Sequence, residues 1–244
     1  MSKLNTAPVA GAAQPSTSAG DPGRARLLWL GHQDYLRCLE QMRAFTAGRS
    51  RRTQDEIWLL EHNAVFTLGM GADSRHVLDP DQIPVIPTER GGQATYHGPG
   101  QVVAYVLVDL VRRGLLVRDL VRVLEEACIA CLSAYGIHAE RRDRAPGVYV
   151  RTGLQAGSKI AALGLKVRRG CSYHGIALNV AMDLEPYQRI HPCGVPKLAV
   201  TDMRNCLGAG PAIEEAGRSL GERIADRLDQ AQRGKAEALP GTLR

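Results

Sequence analysis

Residues 90–101, Arg-Gly-Gly-Gln-Ala-Thr-Tyr-His-Gly-Pro-Gly-Gln, constrain this chain more than any other stretch. Four glycines let the backbone approach another group closely, while Arg90, Gln93, Thr95, Tyr96, His97 and Gln101 crowd hydrogen-bonding side chains into a short span. Directly behind them residues 102–108, Val-Val-Ala-Tyr-Val-Leu-Val, form an apolar run of the length of a buried strand. A polar loop tethered to such a strand predicts a binding surface carried by a sheet. No Gly-Lys-Ser/Thr closes the loop and no G-x-G-x-x-G opens a helix, so it is neither a Walker loop nor a dinucleotide fingerprint. A cradle of backbone amides for phosphate stays open on these residues alone.

The rest of the chain supplies the scaffold. Residues 26–30 predict a strand, and Asp34 an N-cap for a helix whose apolar stripe is Tyr35, Leu36, Leu39, Met42 and Phe45, ending at Gly48. Residues 56–61 and 65–69 read as two strands of an early hairpin turning at Asn63, and residues 71–84 as loop. Residues 119–135 carry strong helical periodicity, closed by Gly136. Strands are predicted over 147–151, 159–167 and 175–182, the last two as a hairpin, and an amphipathic helix over 213–228. Bunched strands with interspersed helices predict an α/β or α+β fold on a mixed β-sheet flanked by helices. Residues 1–23, rich in Ala, Gly, Pro, Ser and Thr, predict a disordered tail. Residues 24–231 are expected to form one catalytic domain, and 232–244 a flexible C-terminal tail.

Composition narrows the function classes. No apolar run is long enough for a membrane helix, so a cytoplasmic protein with no membrane partner is expected. The net charge of +6 comes with only 5% aromatic residues and scattered basic side chains, which favours an acidic protein partner over nucleic acid. Six cysteines at irregular spacing do not resemble a secreted disulfide framework. Cys128 and Cys131 make a C-x-x-C inside a helical pattern, which reads as core packing, and no metal-ligand spacing occurs, so no metal is expected.

Cys193 lies between Pro192 and Gly194 in an aperiodic polar segment, where a structural and a nucleophilic reading both stand. Lys159 opens an apolar strand after Ala156-Gly157-Ser158, placed either as an ordinary strand-end lysine or with its amine at a pocket mouth. His97, His174 and His191 are imidazoles in loops or at strand ends that can serve as bases or substrate partners.

Three segments together resemble one family: residues 90–105 (RGGQATYHGPGQVVAY), 158–180 (SKIAALGLKVRRGCSYHGIALNV) and the triplet Pro192-Cys193-Gly194. The chain resembles the octanoyl-acyl carrier protein:protein octanoyltransferases, the lipoyl(octanoyl)transferases of lipoate biosynthesis, from about residue 27 to 228. The resemblance implies the catalytic-domain fold shared with biotin and lipoate protein ligases. It implies octanoyl-acyl carrier protein as donor and, as acceptors, the lipoyl domains of 2-oxoacid dehydrogenase complexes and the glycine cleavage H protein, with no cofactor. It makes Cys193 the acyl-thioester nucleophile and Lys159 its activating lysine. Substrate binding is implied for Arg90, Gly91, Gly92, Gln93, Ala94, Thr95, Tyr96 and His97, with Ala162, Leu163, Gly164, Gly175, Ile176 and Ala177 as further pieces of the acyl pocket and His174 and His191 in support. Arg141, Arg142, Arg144, Arg168 and Arg169 are then expected to dock acidic partners. Asp202 stands where the resemblance leads one to expect a small residue. Two other readings remain at this point: an ATP-dependent lipoate or biotin ligase of the same fold, or a non-catalytic acyl-carrier-binding protein.

Overall fold

The computed structural model describes residues 23–237. Residues 1–22 of the expected N-terminal tail and 238–244 of the expected C-terminal tail lie outside the described residues. The elements run in order β1 (Arg26–Gln33), α1 (Tyr35–Ala47), β2 (Glu56–His62), β3 (Val65–Leu68), β4 (Val85–Pro87), β5 (Ala94–His97), β6 (Gln101–Leu107), α2 (Leu110–Arg113), α3 (Val117–Ala134), β7 (Ala139–Glu140), β8 (Val148–Val150), β9 (Lys159–Arg168), β10 (Cys171–Asn179), α4 (Met203–Leu207) and α5 (Ile213–Glu237). A seven-stranded mixed sheet has the order β1-β2-β6-β10-β9-β8-β7, and a three-stranded sheet the order β4-β3-β5.

Burial explains why these segments are elements. Every residue of β6 is buried, because α3 and α5 pack on one face of the large sheet and α1 on the other. Asp34 caps α1, its carboxylate accepting from Arg37 N at 2.9 Å, and the stripe Tyr35, Cys38, Leu39 and Met42 turns down onto Trp58, Leu60, Val103 and Tyr105. Cys128 and Cys131 are fully buried on α3 among core side chains, and Cys131 Sγ lies 3.5 Å from Ser219 Oγ of α5. The β9–β10 hairpin forms as expected, with Arg168 opposite Cys171 and both turn residues, Arg169 and Gly170, at positive φ, the conformation that matches strand twist.

The expected hairpin of residues 56–61 and 65–69 does not form. β2 pairs with β1 in parallel and with β6 antiparallel, so both of its edges are taken inside the large sheet. β3 therefore leaves it and pairs with β4 and β5 in the small sheet. The glycine-rich stretch likewise is not one loop, since residues 94–97 are strand β5, antiparallel to β3. The last helix continues to Glu237, beyond residue 232 where its periodicity fades. Asp202, at a position expected to hold a small residue, is fully buried and caps α4, accepting from Asn205 N at 2.7 Å and Met182 N at 3.1 Å. Among the described residues no helix is long and apolar enough to cross a membrane.

Candidate active site

Lys159 and Cys193, thirty-four positions apart, meet. Lys159 is the first residue of β9 and only 4% exposed; its backbone is fixed by Lys159 N donating to Ala199 O and Thr201 N donating to Lys159 O. Its Nζ donates to Pro146 O at 2.8 Å and lies 2.9 Å from Cys193 Sγ, with the Tyr149 ring 5.3 Å away. No carboxylate is in ion-pair contact with this ammonium among the described residues. Cys193 is exposed, at the centre of a single 3-10 turn, Pro192–Gly194, and holds a left-handed backbone with φ 56° and ψ 22°. Such a conformation costs a non-glycine residue about 1–3 kcal/mol and persists where surrounding structure imposes it. Sγ is thereby presented to solvent on one side and to the buried ammonium on the other.

Cys193 also borders a cavity. One wall is the large sheet, with Val103 and Tyr105 of β6, Ala162, Leu163 and Gly164 of β9, and His174, Gly175, Ile176 and Ala177 of β10. The other is Arg90, Gly92, Gln93, Ala94, Thr95 and His97, and Tyr35 of α1 contributes as well. The loop presses tightly on β9: Gly91 N donates to Leu165 O at 2.8 Å, and a Cβ on Gly164 would come within 2.6 Å of Gly91 O. In β9–β10 register Ala177 faces Ala162 beside Cys193, whereas His174 faces Leu165, about 10 Å further along. The space measures about 50 Å³, enough for a few waters, so an acyl chain enters only by displacing lining side chains. A smaller hollow, bordered by Thr95, Lys159, Ala162, Asn179, Tyr187 and Pro192, shares Cys193 with it.

Arg90 is buried, with no carboxylate partner among the described residues. Its guanidinium donates to the carbonyls of Gly91, Thr67 and Gln93 and to Thr67 Oγ1, at 2.8–3.0 Å, so a positive charge stands in the cavity wall. Neutral imidazoles line the side away from Cys193. Burial first, then the neighbouring His62 and Arg90 charges, hold His97 down to about 3, and burial with Arg90 holds His174 at about 3. Burial lowers His62 to about 4, partly opposed by its contact with Gln33 O. His62 Nε2 contacts Tyr105 Oη at 2.7 Å, His97 Nδ1 contacts Gln101 Oε1 at 2.7 Å, and His174 Nε2 has no hydrogen-bond partner among the described residues.

Not every expected residue reaches the cavity. Tyr96 points to the opposite face of β5, packing with Phe66 and Tyr187, and Gly91 holds the loop to β9 without lining the space. His191 stacks edge-on with His76, ring centroids 6.1 Å apart, next to the Cys193 turn. Tyr35, Val103 and Tyr105 are added to the lining by the structure, with His62 behind them on Tyr105, because in the sequence they belong to apolar stripes and read as core. Beside the nucleophile the structure adds His76 to the expected Gln93: a Cβ on Gly194 would lie 3.1 Å from each, and among the described residues His76 Nδ1 and Gln93 Oε1 are buried without hydrogen-bond partners. Arg141, Arg142 and Arg144 line a separate cleft of about 460 Å³ with Glu125, Asp143 and Pro146, while Arg168 and Arg169 sit at the far end of β9, about 30 Å from Lys159.

The chain is similar to several known proteins. The Octanoyltransferase of Ralstonia pickettii is 56% identical over 190 residues, 78% of this chain and 81% of the relative. That of Cupriavidus necator is 51% identical over 83% of this chain and 76% of its own length, and that of Paraburkholderia phytofirmans 47% identical over 97% and 98%. Among solved structures, a lipoate-protein ligase A bound with ATP superimposes with a TM-score of 0.65 at 18% identity, covering 88% of this chain and 94% of that one. A biotin protein ligase from Aquifex aeolicus in complex with biotin and ATP gives 0.56 at 14% identity, covering 85% and 72%. At such identities the likeness is one of fold, the α/β fold of lipoate and biotin protein ligases. Residues 34–225 match the family model of the lipoyl protein ligase A/B catalytic domain, and the chain belongs to that family.

Proposed function

We propose that this chain is an octanoyltransferase of protein lipoylation in which Cys193 carries the acyl group between donor and acceptor. The observation that bears the reading is the 2.9 Å contact between Lys159 Nζ and Cys193 Sγ at the edge of the cavity. A buried ammonium that also donates to a carbonyl, Pro146 O, favours an anion beside it, and a thiolate is the nucleophilic form of cysteine.

The thiolate attacks the carbonyl carbon of an octanoyl thioester on an acyl carrier protein. As the tetrahedral intermediate collapses, the carrier's sulfur leaves and takes a proton from the Lys159 ammonium, leaving octanoyl-Cys193 beside a neutral amine. The lysine amine of a lipoyl domain then attacks the same carbonyl and gives a proton to Lys159. Its C–N bond forms, the bond to Cys193 Sγ breaks, and the thiolate–ammonium pair is restored. Thioester exchange is nearly balanced and aminolysis runs downhill, so the sequence needs neither ATP nor a cofactor. The acyl chain lies between Ala162, Gly164, Gly175 and Ala177 on one side and Arg90, Gly92 and Thr95 on the other. Burying about six methylenes there contributes roughly 5 kcal/mol.

The acceptors we propose are the lipoyl domains of 2-oxoacid dehydrogenase complexes and the glycine cleavage H protein. A cytoplasmic setting accords with six free cysteines, four of them buried. The test is transfer from octanoyl-acyl carrier protein to a lipoyl domain in the absence of ATP. Wild type is expected to octanoylate the domain and Cys193→Ala to do so not at all; an absolute need for ATP, or an active Cys193→Ala, contradicts the proposal.

A further inference from the structure

Lys159 is aimed by its surroundings, and the aiming can be traced back to a helix that touches neither substrate. The ammonium is held 2.8 Å from Pro146 O, so the position of the Pro146–Gly147 peptide decides where Nζ points. That peptide sits at the end of an irregular stretch, residues 141–147, leading into β8. Gly147 has φ +131°, and a Cβ there would overlap Lys159 Cε and lie 2.9 Å from Nζ, so the backbone passes directly over the lysine side chain. The β8–β9 register also shifts between Val148 and Tyr149, a bulge of the kind that re-aims side chains near sites.

What anchors the peptide from the other side is Glu125. This carboxylate on α3 is 5% exposed, and its Oε1 accepts from Gly147 N at 3.0 Å. Its other oxygen stands 3.8 Å from Arg141 Nη1, longer than a hydrogen bond. A carboxylate among the inward-facing side chains of a core helix needs a reason, and the bond to Gly147 N is the close polar contact it makes. Burial pushes the Glu125 carboxyl above its usual range, opposed by the Gly147 amide and by the Arg141 and Lys159 charges.

We propose that Glu125 is a positioning residue for the reacting pair: by fixing Gly147 N it sets Pro146 O, and through Pro146 O it holds the Lys159 ammonium against Cys193. The proposal rests on the reading of Lys159 and Cys193 as the reacting pair. It assigns the role to the hydrogen bond from Gly147 and not to the charge of Glu125. Glutamine at this position keeps the accepting oxygen at the same reach without the charge; aspartate keeps the charge but falls one methylene short.

The experiment compares full-length wild type, Glu125→Gln and Glu125→Asp by the rate of iodoacetamide alkylation of Cys193, followed by mass, and by octanoyl transfer. Near pH 6.5 Glu125→Asp is expected to lose roughly tenfold or more in both rates. At about pH 9.5, where an ordinary thiol is itself ionised, its alkylation is expected to approach that of wild type. Glu125→Gln is expected to stay within about twofold of wild type at both pH values, a split that general loosening of the fold would not produce. An active Glu125→Asp, a defective Glu125→Gln, or a loss in Glu125→Asp that is equal at both pH values overturns the proposal. A wild-type Cys193 that alkylates like a free thiol near pH 6.5 and accepts no acyl group overturns the reading beneath it instead, and the proposal with it.

Discussion

The residue we propose as the acyl carrier is also one of the few non-glycine residues with a left-handed backbone among the described residues. Cys193 holds a left-handed backbone in an exposed turn, and Lys159 faces it from a buried position while also donating to the Pro146 carbonyl. Turn and strand start are separate pieces of chain, so the geometry of the pair depends on what fixes each. The cavity wall depends on small side chains in the same way. Ala177 of β10 lines the cavity opposite Ala162 of β9, and Ala177→Leu fills space that an acyl chain would occupy beyond its first carbons. Losing about two buried methylenes removes about 1.6 kcal/mol, so octanoyl transfer is expected to fall roughly fifteenfold while transfer of a butanoyl group changes little. Parallel rate measurements with the two donors check this, and an equal loss for both would locate the acyl chain elsewhere.

At the level of elements, α1, β2, β5, β6 and β10 bring Tyr35, His62, His97, Tyr105 and His174 into one buried aromatic layer, with neighbouring ring centroids 5.2–6.0 Å apart. The three imidazoles are held at about 3–4 in the folded chain, against about 6.5 when unfolded. Below pH 6.5 the unfolded chain therefore binds protons that the folded chain refuses, so stability is whole above that value and falls as pH drops toward 4. Each histidine contributes about 1.4 kcal/mol of loss per pH unit in that window. Urea midpoints at pH 7 and pH 5 should show the drop, and the triple His62→Gln, His97→Gln, His174→Gln variant should lose most of that difference. Identical wild-type midpoints would contradict it. This layer was not legible in the sequence, because Tyr35 and Tyr105 sit on apolar stripes and His62 ends an apolar strand, so each looks like local core. Strand β6 was legible because burial on both faces writes an unbroken apolar run, and α1 because Asp34 marks its start. Pairing of β2 with β1 and β6 was not, since the choice of strand partner is made by distant segments. Nor was the splitting of the glycine-rich stretch, where alternation along β5 turns Thr95 and His97 to the cavity and Tyr96 away from it.

On the scale of the whole molecule, the positive charge is unevenly useful. Arg141, Arg142 and Arg144 cluster by the Pro146 turn that supports Lys159, and Arg142 stacks 4.4 Å over the Tyr149 ring that also faces the lysine. Arg168 and Arg169 occupy the distant hairpin tip. We therefore expect an acidic carrier that delivers an acyl group to Cys193 to dock on the first cluster and not on the second. Arg142→Glu with Arg144→Glu is thus expected to lower kcat/KM for octanoyl-acyl carrier protein about tenfold and flatten its salt dependence, with kcat nearly unchanged. Arg168→Glu with Arg169→Glu is expected to do neither, and the reverse pattern would move the docking face. Fold and family alone leave the chemical step undecided, since the same architecture appears in proteins crystallised with ATP. The Lys159–Cys193 contact is the observation on which we propose a cysteine thioester, and the most direct measurement is the intact mass of the protein after incubation with octanoyl-acyl carrier protein alone. An octanoyl adduct that maps to Cys193, is absent from Cys193→Ala and disappears when a lipoyl domain is added is the predicted result; an adduct that persists in Cys193→Ala, or transfer with no adduct on the wild type, would contradict the account.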